Sequence, residues 1–355
     1  MQDRKVVVTI NSTGRQSASF IRVAAAVGWH VRAQTRDKQG IVAQELDSTP
    51  DVDLRVGSLD DAQFVARLFD GAQLAFINTT HWGDEIATGR AMANAAKRAG
   101  IEHLIYSSMP DHSIYQGQNW RALPLWAQKF AVENYIRQIG IPATFVYTGT
   151  YHNNFTSLPY PLFRMELKDD GSFEWQAPFH PHIPIPWLDA EHDVGPAILQ
   201  IFKQGPRKWA GHRIPLAFQQ LTPVQVCEAF SRALNRPVRY VRGPVTIEVP
   251  VPAGYREHLE ILEETLGWRN APYFGPDLEP DCTREALDLW EGFRDIEEYA
   301  REIFPVEERA NGLTWMDEDD ATDGQPEPDD VPSEPTSEPP PPARDSQNFF
   351  QIMNL

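Results

Sequence analysis

The sequence predicts an α/β protein: a Rossmann-type doubly wound parallel sheet, a smaller and mostly helical second lobe, and a disordered acidic tail. Three observations carry that expectation. Over residues 1–150, six short apolar runs alternate with segments of helix length, the pattern of parallel strands joined by crossover helices. A glycine-bearing turn at residues 11–17 lies between the first run and the first helix, where such folds bind phosphate. Beyond Gly149 the alternation stops, and Pro, His and aromatic residues take over.

The elements follow in order. Residues 5–11 are an apolar run ending at turn residues, and 16–27 a helix with Ala18, Ile21 and Ala25 near one face. A strand at 30–34, a helix at 41–46 and a strand at 53–56 come next. Asp60 is expected to cap a helix running to Phe69. Strand 74–78, helix 84–99, strand 103–107, helix 126–138 and strand 143–147 complete a nucleotide-binding domain over 1–150. Residues 151–316 form the second lobe. It starts with loops and short elements over 151–190, then helices at 193–202, 222–234, 255–266 and 284–303. Thr222 as N-cap and Pro223 as first helical residue mark the start of the second of these.

Composition narrows the class. The chain has 355 residues, 41% of them apolar, and a formal net charge of −18. Segment 317–347 carries −10 of that charge and is rich in Pro, so it cannot offset its ordering entropy. The remainder, at −8, lacks the basic surface that nucleic-acid phosphates need; a basic protein partner fits better. No apolar run is long enough to span a bilayer. The first strand follows Met1 so closely that no signal or transit peptide is expected. Cys227 and Cys282 are expected to be buried thiols in a reducing compartment. The closing stretch Phe349-Phe350-Gln-Ile-Met-Asn-Leu355 is apolar again, a loose end or a short docking motif on an acidic tether.

The turn Asn11-Ser12-Thr13-Gly14-Arg15-Gln16-Ser17 replaces the usual three glycines with one. Gly14 holds the position where backbone approaches phosphate most closely. Asn11 tolerates left-handed backbone angles, Ser17 is small enough for close packing, and Arg15 can face phosphate. At the end of the second strand, Arg36 and Lys38 favour a 2′-phosphate and Asp37 a 2′-hydroxyl; Gln39 and Gly40 complete that loop. Gly57, Ser58, Asn78, Thr79 and Thr80 lie at further strand ends on the same side of the sheet.

The turn 11–17, Asn78-Thr79-Thr80, Tyr106-Ser-Ser-Met-Pro-Asp111, Trp126-Ala-Gln-Lys129, Phe155-Thr-Ser-Leu-Pro-Tyr-Pro161 and Trp187-Leu-Asp-Ala-Glu-His-Asp193 closely resemble the fungal NmrA proteins. The resemblance spans residues 4–316 and ends at Asn311-Gly-Leu-Thr-Trp-Met316. It implies an atypical short-chain dehydrogenase fold that binds NAD or NADP, present in nucleus and cytoplasm. It also implies a role restraining a GATA-type zinc-finger activator in nitrogen metabolite repression. Asn11, Ser12, Thr13, Gly14, Arg15 and Gln16 become the phosphate loop, with Arg36 standing where the family has His. Asn78 and Thr79 fall near the adenine ribose and nicotinamide side, and Lys129 at the nicotinamide ribose. Tyr151, His152, Asn153 and Asn154 close over the cofactor.

Enzymes of this superfamily place Tyr four residues before the active-site Lys, which lowers the phenol pKa for acid–base work. Four before Lys129 stands Leu125. Ser107 or Ser108 could fill the Ser role, and neither Tyr115 nor Tyr135 has the required spacing. A non-catalytic nucleotide sensor is expected, with no catalytic residues; the alternative is an NADPH-dependent reductase using another acid. His180, His182, Asp189, His192 and Asp193 have metal-ligand chemistry but are expected to serve loops and caps. Trp175, Phe179, Trp187 and Trp209 are expected in packing. The charged residues of 256–264 and 284–301 are expected on solvated faces.

Overall fold

The computed structural model describes residues 5–81 and 83–316. The expected tail and the Phe349-Phe350 motif lie outside them.

The chain begins β1(Val6–Thr9) α1(Arg15–Ala26) β2(His30–Thr35) α2(Ile41–Ser48) β3(Val52–Val56) α3(Ala62–Phe69) β4(Leu74–Ile77) α4(Glu85–Ala99) β5(His103–Ser108) α5(Pro124–Ile139) β6(Ala143–Thr148). Its central strands β1, β4, β5 and β6 are buried almost throughout on both faces, as parallel strands between helix layers must be, while the edge strand β3 is mostly half-buried. Asp61 rather than Asp60 caps α3, accepting from the N–H groups of Gln63 and Phe64. Asp60 instead receives a hydrogen bond from Ser58 in the preceding turn.

The second half runs β7(Thr150–Tyr151) β8(Met165–Leu167) β9(Phe173–Ala177) β10(Ile185–Leu188) α6(Val194–Gln204) α7(Pro206–Trp209) β11(Arg213–Leu216) β12(Gln219–Leu221) α8(Pro223–Leu234) β13(Val238–Arg242) α9(Ala253–Leu262) α10(Cys282–Leu289) α11(Ile296–Glu302) α12(Phe304–Ala310). Thr222 caps α8 through a capping box with Gln225, with Pro223 at the first position. A π-helical turn over Glu263–Trp268 extends α9. Residues 284–303 are two helices, not one: α10 stops at Leu289, and Asp295 caps a new helix.

The main sheet has seven strands in the order β11-β6-β5-β4-β1-β2-β3, all parallel. Strand order reverses between β1 and β4, so a crevice opens there at the carboxyl ends. Residue 150 is not a clean boundary. β11 returns as the seventh strand, and α6 packs on α1 where Gly195 meets Ser19. A Cβ on Gly195 would lie 2.4 Å from the Ser19 carbonyl oxygen. The Gly195 N–H donates to Ser19 Oγ at 2.9 Å. α6 and β11 therefore complete the nucleotide-binding domain from beyond the expected 1–150 span.

Helix is the commoner regular structure in the lobe. The lobe also holds two three-stranded sheets, β12-β10-β7 and β13-β9-β8, that the sequence did not announce because their strands are two to five residues long. Its core is aromatic: Trp175 and Trp187 are fully buried, and Phe155 stacks on Trp187 at 5.6 Å. Trp209 is half-buried at the domain edge, its Nε1 donating to Gln204. Cys227 and Cys282 are buried free thiols. Among the described residues no helix is long and apolar enough to cross a membrane.

Candidate functional site

The turn after β1 is built as its sequence suggests. Asn11 adopts φ +50°, and its Nδ2 donates to the Asn78 carbonyl at 2.8 Å, tying the loop to the end of β4. Its own N–H donates to Gln34 Oε1 at 3.0 Å, and Ser17 Oγ donates to the Ile10 carbonyl at 3.0 Å. Gly14 is the N-cap of α1 with φ −74°. Its conformation suits any residue, so its small size, rather than backbone freedom, is what keeps space in front of the helix open to an anion.

Arg15, expected to face phosphate, is engaged by carboxylates of the protein itself. Its guanidinium pairs with Glu191 and with Glu307 of α12, the latter at 2.8 Å. Burial opposes the charge, but Glu307 and then Glu191 outweigh it and the pKa is raised.

At the end of β2, residues 36–40 are all exposed. Lys38 pairs with Asp47 at 2.5 Å, and Asp37 accepts from the Gln39 N–H at 3.0 Å. Arg36 forms no ion pair among the described residues. Gly40 caps α2. Gly57 is held against β2 by Gln34 Nε2 at 2.9 Å, and Ser58 turns outward to Asp60.

Across the crevice, Lys129 is buried and meets the Thr79 carbonyl at 2.5 Å, Glu85 Oε1 at 2.9 Å and Asn78 Oδ1 at 3.4 Å. The three acceptors match the three donors of an ammonium. Glu85, buried at the start of α4, also accepts from Thr79 Oγ1 at 2.6 Å, and that hydroxyl lies 2.8 Å from the Tyr106 hydroxyl. Burial, then Glu85, pushes the Tyr106 pKa well above its ordinary value. Thr80 follows at the rim. Leu125 is buried, its N–H 3.4 Å from His258 Nδ1. Ser108 donates to Glu133 at 2.8 Å, whereas Ser107 makes no such side-chain bond among the described residues. Tyr135 donates to Asn94, and the Tyr115 hydroxyl packs against Gly275; neither belongs to the Lys129 group.

The third wall is the segment after β7. The Tyr151 hydroxyl bonds Gln16 Nε2, and Asn153 Oδ1 accepts from the Ala190 N–H at 2.8 Å. Burial drives the His152 pKa down to about 4, so the ring is neutral at pH 7. Ser12 Oγ, Gln16 Oε1, both His152 ring nitrogens and both polar side-chain atoms of Asn154 are buried with no hydrogen-bond partner among the described residues. Unpaired buried polar atoms are costly. Their gathering on the loop and on the segment facing it fits a polar, hydroxyl-rich ligand such as a dinucleotide.

Asp189, His192 and Asp193 serve structure. Asp189 pairs with Arg294 at 3.0 Å. Asp193 accepts from the Arg294 N–H at 3.1 Å and lies 2.7 Å from His192 Nδ1. Arg294, expected on a solvated face, is thus largely buried. His180 lines a separate cavity of about 270 Å³ between segments 179–185 and 266–273, which holds none of the expected cofactor residues.

Sequence reading missed Glu85, Glu191, Glu307 and Glu308. Each looks like an ordinary surface glutamate in sequence. Only Glu85, in a first helical turn beside a capping Asp, carries a local signal, and that signal is for helix stability.

Comparison with known proteins gives a consistent picture. Residues 3–300 match the NmrA-like family model. The nitrogen metabolite repression protein nmrA of Emericella nidulans is 57% identical over 89% of this chain and 99% of its own length. Its Neurospora crassa counterpart nmr is 56% identical over 89% of this chain and 72% of its own. Crystal structures of Nmra, a negative transcriptional regulator, in complex with NAD and with NADP superpose with TM-score 0.85 at 61% identity. They cover 89% of this chain and all of theirs.

Proposed function

We propose that this chain, which belongs to the NmrA-like family, binds NAD or NADP and acts without catalysis as a negative regulator in nitrogen metabolite repression. It docks on the zinc-finger domain of a GATA-type activator, in nucleus and cytoplasm, and does not itself contact nucleic acid or membrane. The phosphate loop is Asn11 to Gln16, Arg36 reads the ribose 2′ position, and Asn78, Lys129 and residues 151–154 enclose the nicotinamide side. The relatives' nitrogen repression role and their NAD and NADP complexes support the regulator and cofactor parts of this reading.

The observation that carries the non-catalytic part is the buried Lys129–Glu85 pair. In a dehydrogenase the lysine charge depresses a neighbouring phenol. Here that charge is met by a carboxylate, the position four residues earlier is a buried leucine, and the nearby Tyr106 is pushed away from ionisation rather than toward it. A site that holds a dinucleotide and cannot move its hydride is suited to report on the nucleotide pool.

The test is capture of the full chain by an immobilised GATA zinc-finger domain, with oxidised or reduced dinucleotide present, beside an NADPH absorbance assay on a carbonyl panel. The regulator reading expects capture and no turnover. Turnover without capture, lost in Lys129→Ala, would establish the reductase instead.

A further inference from the structure

We infer that Glu307 competes with the phosphates of a bound dinucleotide for Arg15, so that the C-terminal helix α12 sets the affinity of the site. The inference rests on the nucleotide reading proposed above.

Arg15 is the first residue of α1, at the helix end whose free N–H groups attract an anion. Its guanidinium faces two carboxylates. The Glu191 side chain is 43% exposed and that of Glu307 is 23%, so water screens Glu191 more and Glu307 is the stronger rival. Glu307 is also fixed from behind by the Tyr299 hydroxyl at 2.7 Å. If Arg15 turns to a phosphate, it abandons Glu307 in a partly buried place. If it stays, its charge is spent on Glu307. Either course weakens binding.

Helix α12 cannot follow Arg15. The next residue, Glu308, is fully buried. It accepts from Thr156 Oγ1 at 2.7 Å, the Ser157 N–H at 3.1 Å, Ser157 Oγ, and Trp315 Nε1 at 3.1 Å. Adjacent glutamates thus grip both walls of the site: Glu307 the phosphate loop, Glu308 the segment that continues from Asn153 and Asn154. Only the Glu307 contact can open while the other holds.

Titration calorimetry of NADP and NAD into the full chain tests this with wild type, Glu307→Gln, Arg15→Gln and the double variant. Glutamine keeps the size of Glu307 and its bond to Tyr299 while removing the charge. Glu307→Gln is expected to bind both dinucleotides about fivefold tighter or more, a common size for coupling between sites. Arg15→Gln weakens binding, and adding Glu307→Gln to it changes nothing further. A merely structural Glu307 would give weaker binding in both backgrounds and a lower melting temperature. Unchanged or weaker binding by Glu307→Gln, or equal tightening without Arg15, overturns the inference while the nucleotide reading stands. A wild type that binds neither dinucleotide overturns both.

Discussion

Replacing Glu85 with Leu removes the counter-charge of Lys129 in a place water hardly reaches, since the two side chains are 1% and 10% exposed. Deleting one partner of a buried ion pair costs about 3–5 kcal/mol because the other charge is left uncompensated. The structure places this case at the lower end, about 3 kcal/mol. Lys129 keeps the Thr79 carbonyl at 2.5 Å, and the Thr79 hydroxyl keeps Tyr106. The double replacement Glu85→Leu with Lys129→Met removes both charges, and its penalty should fall well below that of Glu85→Leu alone, because such pairs often break even against apolar side chains. Urea unfolding followed by tryptophan fluorescence reads both differences from midpoints at constant slope. Two results would refute the reasoning: a single-variant loss below about 1 kcal/mol, the range of a solvated surface pair, or a double variant whose loss equals the sum of the singles.

Three further outcomes are expected. Arg36→Ala should weaken NADP more than NAD by calorimetry, and Lys38→Ala less so because Asp47 already holds that ammonium; equal loss for both cofactors would place the 2′ contact elsewhere. Gly195→Ala should destabilise the fold by about 1–3 kcal/mol through overpacking, read as a lower urea midpoint, since its new methyl meets the Ser19 carbonyl. Burial also lowers the pKa of His103 to about 4, of His152 to about 4 and of His258 to about 3. The unfolded chain takes up protons near pH 6.5 that the folded state refuses. Stability should therefore be full above that pH and fall as pH drops toward 4. Glu279, pushed up to about 7 by burial, opposes part of this loss. NMR signals of the His103, His152 and His258 rings titrating near 6.5 in the folded protein would contradict their assignment as neutral.

Periodicity made the nucleotide-binding half legible. Strands β1 and β4 are apolar runs and β2 and β3 alternate apolar with polar residues, each set off by helices, and the turn after β1 carried its own signal in Asn11, whose left-handed backbone the structure reproduces. Elements formed by long-range return were not legible. β11 is four residues long, and nothing in Arg213-Ile-Pro-Leu216 says that it completes a sheet begun 200 residues earlier. The lobe's short strands hide in the same way, their burial decided by aromatic packing rather than alternation. In the site, residue types at strand ends were visible, but pairings across the fold were not. Sequence marked Arg15 and Lys129 as site residues but could not show Glu307 arriving from α12 to pair with the first, or Glu85, which reads as a helix-capping neighbour, pairing with the second.

The proposed dinucleotide site lies at the loop in front of α1, and calorimetric titration of NADP into wild type and Gly14→Asp tests it directly. The aspartate puts a carboxylate where backbone N–H groups would meet phosphate, without disturbing a glycine φ that any residue can adopt. Binding by the wild type and none by Gly14→Asp, at unchanged melting temperature, is the predicted result. Equal affinity in the two proteins would contradict the account and put the ligand at some other surface.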